Sequence, residues 1–310
     1  MPMRDRARWA FVILLSMALL SAPAIWNHFP LLQYDTGGYL ARWYEPYLVP
    51  SRAVTYGLIL NAGAVLSFWP VVLGQSALTV WVIALILRVH GLGGRPGLLA
   101  GIVAALSVFS TLPWLTSILL TDIFAGLAVL ALYLLLLRAN DLNGREQAGL
   151  VALIAVSVTT HSATLAVLLM LLAAAALLSF VAPSRLPRRR LGNGALAIAL
   201  GAALVFAANA AVTKRLTWTP GGFALSFGRM LQDGIVARFL TDHCPDPRFK
   251  LCEHRDELPA SADAFFWGEG IFDRLGRFQG LNDEMRTIAI ESLRDYPLWQ
   301  LEAAMRAAAR

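Results

Sequence analysis

Long apolar stretches fill the first two-thirds of the chain, separated by short charged or Gly- and Pro-containing breaks. The last third turns to short apolar stripes at helical spacing. A run of about 20 mostly apolar residues is long enough to cross a bilayer as a helix. Seven stretches read as spans: Trp9–Trp26, Pro70–Leu87, Leu98–Leu112, Asp122–Leu137, Ala148–Thr159, Ala163–Val181 and Ala195–Val212. Pro113-Trp114 is expected to break the third, and His161-Ser162 to mark the turn after the short fifth. The first stretch follows Arg4, Arg6 and Arg8 and reads as a retained anchor. Ser21-Ala22-Pro23-Ala24 is a poor cleavage site, and further spans follow. A polar, aromatic stretch from Asn27 to about Ser67 separates the first two spans and suits an amphipathic helix at the membrane interface.

Beyond residue 213 the pattern predicts helical pieces joined by Gly and Pro. Ser226–Thr241 places Phe227, Met230, Leu231, Ile235 and Phe239 at helical spacing. Ser261 is a candidate helix start. Asn282–Asp295 is amphipathic through Met285, Ile288, Ala289 and Leu293, and Pro297 opens a further helix carrying Leu298, Leu301 and Met305. No repeat and no clear strand is visible. The expected fold class is therefore all-α: a polytopic membrane bundle of about seven spans over residues 1–213, with an outer-face loop at 27–67. An outer, mainly helical segment over residues 214–310 follows. The sequence stops within a helical pattern at Ala307-Ala308-Ala309-Arg310, which suggests the N-terminal part of a longer membrane protein.

Composition sharpens this picture. Of 310 residues 57% are hydrophobic and 15% charged, against roughly 45–50% and 25% in soluble domains. Disorder, collagen-like repeats and small disulfide scaffolds are excluded. The net charge of +6 at first suggests a nucleic-acid partner, but the placement of arginines removes that suggestion. With the N-terminus in the cytoplasm and seven alternating spans, the inner segments before residue 213 hold 11 Arg and the outer ones hold two, Arg42 and Arg52. That asymmetry is the positive-inside pattern. Residues 214–310, with 13 basic and 14 acidic side chains, then lie outside, as in a periplasm. Cys244 and Cys252 in such a compartment are expected to close a small disulfide loop. Free thiols are the plain alternative. A zinc site with His243 and His254 has the right ligand types, but the spacing matches no standard finger.

Ionisable groups at membrane depth are candidate functional residues. Asp35 lies in Gln33-Tyr34-Asp35-Thr36-Gly37-Gly38-Tyr39, where two glycines permit close approach of a ligand. Alternatively it caps a helix starting near Thr36. The same loop carries Arg42, Glu45 and Arg52 with Tyr34, Tyr39, Trp43, Tyr44, Tyr47 and Tyr56, which read more readily as interfacial belt residues than as sugar-stacking rings. Asp122 opens the fourth span and His161 ends the fifth, both at the face that carries Asp35; each has a bland reading as a cap or a locally bonded side chain. Two carboxylates and an imidazole converging there offer a general base and, with Asp35, Asp122 and His161 as ligands, a divalent metal site. Arg42 and Arg52, with Tyr39, are candidates for binding a phosphate. The phosphate-loop, zinc-protease and serine-hydrolase motifs are absent; Gly74-Gln75-Ser76 lacks the final glycine of the last and lies in a span.

The layout resembles the GT-C superfamily of polytopic glycosyltransferases. The resemblance rests on Tyr34-Asp35-Thr36-Gly37-Gly38-Tyr39 in the first outer loop, on Ser51-Arg52-Ala53-Val54-Thr55-Tyr56-Gly57 in the amphipathic segment after it, and on Leu120-Thr121-Asp122 at the fourth span. His161-Ser162 looks like the outer-face histidine region, and the likeness covers roughly residues 9–213. It implies a polyprenyl-phosphate-linked sugar as donor and a lipid or cell-envelope glycan as acceptor, at the outer face of a bacterial inner membrane. Asp35 would be the general base and Asp122 a second site carboxylate. The alternatives are a transporter or flippase of a lipid-linked substrate, and a non-catalytic envelope-assembly subunit.

Overall fold

The computed structural model describes residues 3–44, 49–50, 52–181, 187–214, 216–219 and 221–309. Glu45, Tyr47, Ser51 and Arg310, named above, lie outside the described residues. The fold is all-α, and among the described residues there is no strand; Leu31 and Ile118 form one isolated parallel bridge. The chain forms two compact units, Met1–Leu48 with Arg52–Trp218, and Val49–Ser51 with Thr219–Arg310.

In the first unit α1 (Met3–Leu20) and α2 (Ala22–Trp26) replace the single predicted first span, divided at Ser21. The outer loop folds as two helices, α3 (Tyr34–Tyr44) and α4 (Val54–Ala64). Then come α5 (Trp69–Val89), α6 (Pro96–Phe109), the short α7 (Leu112–Ser117) and α8 (Asp122–Leu137). After a turn, α9 (Gly144–Thr160), α10 (Ser162–Val181) and α11 (Arg188–Thr213) complete the unit. α8 is apolar after Asp122, and Leu127, Ala128, Ala131, Leu132, Leu134 and Leu135 are buried in the core, while Gly126, Leu130 and Leu137 leave one stripe exposed. α10 behaves oppositely: Met170, Leu177 and Phe180 are exposed to 64%, 69% and 75%. A large apolar surface on a helix of this length suits lipid rather than water.

Among the described residues three helices, α5, α10 and α11, are by length and composition able to cross a membrane, against seven spans expected. The other apolar stretches form shorter or more charged helices. α1 carries Arg4, Asp5, Arg6 and Arg8 in its first two turns. α6 has 14 residues and α8 has 16. At about 1.5 Å per residue these reach roughly 21 and 24 Å, short of a hydrocarbon core of about 30 Å. Regular helix ends before apolarity does: Ser110 stops α6, and Pro113 sits inside the first turn of α7 instead of breaking the third span.

The second unit contains α12 (Phe223–Gln232), α13 (Ile235–His243), α14 (Ala262–Trp267), α15 (Ile271–Arg274), α16 (Arg277–Asp295) and α17 (Pro297–Ala308). Gly234, at φ +78°, divides what the pattern read as one helix from 226 to 241. Phe227, Phe239, Phe265 and Phe272 are wholly buried in its core. Ser261 caps α14, its hydroxyl accepting the Ala264 N–H. Cys244 and Cys252 are disulfide-bonded, with Cα atoms 5.6 Å apart.

Candidate active site

The site is built where the chain leaving α2 meets the segment between α7 and α8. The Leu31 N–H donates to the Ser117 carbonyl at 3.0 Å, and the Leu119 N–H donates to the Leu31 carbonyl at 2.9 Å. That pairing fixes the start of α3. The Gln33 N–H donates to Thr36 Oγ1 at 3.0 Å, and the Thr36 hydroxyl donates onward to the Leu119 carbonyl at 3.1 Å. Gln75, buried on α5, secures the same place. Its Nε2 donates to the Thr116 and Ile118 carbonyls at 3.0 and 3.1 Å, and its Oε1 accepts the Tyr56 hydroxyl at 3.2 Å. One amide side chain thus satisfies two otherwise orphaned carbonyls and a phenol in a water-poor interior, where an unmade hydrogen bond costs about 1–3 kcal/mol.

This frame positions Asp35 in the first turn of α3, near the positive end of the helix dipole. Its carboxylate forms an ion pair with Arg52, which stands just ahead of α4. Arg52 is seated tightly. A Cβ on Gly38 would come 3.1 Å from Arg52 Cγ, and the guanidinium carbon lies 5.7 Å from the centre of the Tyr39 ring. Tyr39 is buried, with its hydroxyl 3.4 Å from Thr121 Oγ1. Its ring meets Tyr56 edge-on at 5.0 Å, and Tyr56 meets Phe124 of α8 at 6.1 Å. Burial pushes the Tyr39 phenol up from its ordinary range, opposed by the Thr121 hydrogen bond and the Arg52 charge. The charges of Asp35 and Asp122 both reach that hydroxyl. Asp122 follows Thr121 directly as the first residue of α8 and is exposed. A continuous series of contacts, Asp35 to Arg52 to Tyr39 to Thr121, therefore leads from one acid to the neighbour of the other.

The remaining expected site residues fall as follows. Arg42 is half-buried, seven residues after Asp35 on α3, a spacing that shares one helix face, and it has no ion-pair partner among the described residues. His161 ends α9 at the same end of the unit as Asp122, since α8 and α9 form a hairpin. Its ring is exposed, and Nδ1 accepts the Ala163 N–H at 3.2 Å, so it caps α10. It makes no hydrogen bond to either acid. Among the described residues no three His, Cys, Asp or Glu side chains gather as a metal-ligand set. Asp35 is engaged by Arg52 and His161 by the backbone, so these residues do not fit the expected three-ligand metal site. Tyr34 and Tyr44 are exposed like belt residues, but Tyr39 and Tyr56 are core.

The opposite end of the unit is basic. Arg88 pairs with Glu146 at 2.5 Å, Arg138 donates to the Val89 carbonyl, and Arg190 donates to the Leu136 and Leu137 carbonyls at 3.4 and 3.3 Å. Near the end that holds Asp35, an apolar cavity of about 590 Å³ opens between α1–α2 and α6–α7, lined by Leu19, Trp26, Leu31, Val108 and Trp114. Leu31 belongs both to this wall and to the pairing that fixes α3. Comparison with known protein families, characterised proteins and solved structures finds no match to this chain.

Sequence reasoning passed over Thr36, Gln75 and Thr121, which hold the acids in place. Gln75 had a signal: with Ser76 and Thr79 it is a polar patch inside an otherwise apolar helix.

Proposed function

We propose that the protein is a membrane glycosyltransferase that moves a sugar from a polyprenyl-phosphate donor to a hydroxyl of a lipid or cell-envelope glycan. In this reading α1 with α2, α6, α8 and α9 cross the membrane alongside α5, α10 and α11. The basic end faces the cytoplasm of a bacterial inner membrane, and Asp35 and Asp122 face the outer side, as do residues 214–310. The observation that supports the reading most is the contact series linking Asp35, Arg52, Tyr39 and Thr121 beside Asp122, next to an apolar cavity suited to a lipid tail.

The chemistry follows from the groups present. Asp35 accepts the proton of the acceptor hydroxyl while that oxygen bonds to the anomeric carbon of the sugar. The bond from that carbon to the donor phosphate oxygen breaks, and its electron pair leaves on the phosphate. Arg52 and Arg42 meet the phosphate charge through charge-assisted hydrogen bonds. Asp122 orients the acceptor through its exposed carboxylate. No step is routed through a metal.

General-base catalysis contributes roughly 10²–10⁴-fold to rate. Reconstituted protein supplied with polyprenyl-phosphate sugars is expected to transfer sugar, and Asp35→Asn to lose on the order of 100-fold in turnover. Wild-type turnover in Asp35→Asn removes this mechanism. Movement of the lipid-linked sugar across the bilayer without turnover assigns the residues to a transporter instead.

A further inference from the structure

We infer that Arg52 is a latch that holds Asp35 until a lipid phosphate arrives, so that the donor frees the base required for its own attack. The inference rests on the transferase reading above and adds an order of events to it. Three observations carry it. Asp35 and Arg52 are paired although both were assigned separate tasks, one on the acceptor proton and one on the donor phosphate. Neither side chain is sealed, at 23% exposure for Arg52 and 47% for Asp35, so a ligand can reach the pair. The Arg52 stem is also held independently of Asp35, against Gly38 and over the Tyr39 ring, so losing the carboxylate does not release the guanidinium from the site.

Magnitudes favour exchange. A partly exposed single ion pair contributes little to stability. A phosphate offers Arg52 two parallel charge-assisted bonds, where Asp35 meets it through a single contact from Nη2 to Oδ1. A phosphate therefore displaces Asp35. The freed carboxylate, at the start of α3, turns to the acceptor hydroxyl and takes its proton as the acceptor oxygen attacks. The departing phosphate keeps Arg52 until it leaves, after which the pair closes again. A hydroxyl acceptor entering first meets a carboxylate already occupied, so nucleophile activation waits for the donor.

The test uses the full chain in detergent with dodecyl phosphate as the probe, binding measured by calorimetry. Competition between Asp35 and phosphate for one guanidinium predicts that Asp35→Asn binds the probe about three- to tenfold more tightly than the wild type, while Arg52→Gln loses binding. Asp35→Ala reads the same comparison should the asparagine variant fail to remain helical. Unchanged or weaker binding in the neutral variants overturns the latch, because Asp35 would then only brace Arg52. Failure of the transferase reading is separate: it leaves tighter binding in Asp35→Asn but no sugar transfer in the wild type. Failure of the latch alone leaves wild-type transfer intact without the gain in affinity.

Discussion

Glu284 on α16 is a carboxylate that the fold buries for structural ends. It is 8% exposed and accepts the Leu251 N–H at 2.9 Å, securing the 3-10 turn at Lys250–Glu257 beside the disulfide. Burial pushes its carboxyl above the ordinary value of 4.5, against the lowering effect of the Leu251 and Lys250 N–H groups. A carboxyl raised in the folded state favours the fold while protonated. Its contribution is complete below pH 4.5 and is lost as pH rises from there through the raised value. Asp242, Asp246 and Glu257 run the other way, held low first by hydrogen bonds from Tyr296, Arg248 and His254 respectively. Glu284→Gln separates the two effects. Amide exchange at Leu251 is expected to speed up relative to the variant as pH rises from about 4 to 7; parallel pH courses would refute this. Asp35, Asp122 and Arg52 were legible in the sequence because charges are rare in an apolar stretch. Their pairing was not, because nothing in the local pattern brings residue 52 back to residue 35. Tyr39 stood beside the arginines as a phosphate-binding candidate, but its burial beneath Arg52 and its tie to Thr121 were not legible, because a tyrosine in an aromatic loop looks like a belt residue until the fold buries it.

The α3–α4 pair carries the site, and its geometry depends on one close approach. A Cβ on Gly57 would lie 2.4 Å from the Tyr39 carbonyl oxygen and 3.1 Å from Trp43 Nε1. Gly57→Ala is expected to push the helices apart and cost on the order of 1–3 kcal/mol in thermal unfolding, with loss of transfer as Tyr39 moves from beneath Arg52. Gly37→Ala is the control, since a Cβ there meets nothing within 4 Å and removes a flexible residue from a helix. Equal stability of the two variants would show that the contact is not tight. Helices were read well where apolar runs end on charged residues: the stretch Asp122–Leu137 is α8, and Ala163–Val181 is α10 but for one residue. They were read poorly where backbone geometry decides. Gly234 bends the chain inside a continuous apolar stripe, and Ser21 and Ser110 end helices through local turns that hydropathy does not register. The interfacial loop, read as suiting one amphipathic helix, forms two helices of 11 residues each.

Across the chain, arginines are unevenly placed. In the first unit Arg88, Arg138 and Arg190 lie at one end with Asp141 and Glu146, and Asp35 and Asp122 lie at the other with Arg52. The number of spans was not equally legible. Apolarity is a property of residues, whereas helix length is set by backbone turns, and among the described residues α5, α10 and α11 combine both within a single long helix. The account's central claim is that Asp35 and Asp122 serve one reaction centre. A double-mutant cycle on sugar transfer in reconstituted vesicles tests it most directly. Groups acting as a unit are strongly non-additive. The account predicts that Asp35→Asn with Asp122→Asn loses no more turnover than Asp35→Asn alone, within about threefold. Losses that multiply would contradict it, placing the two carboxylates in separate roles.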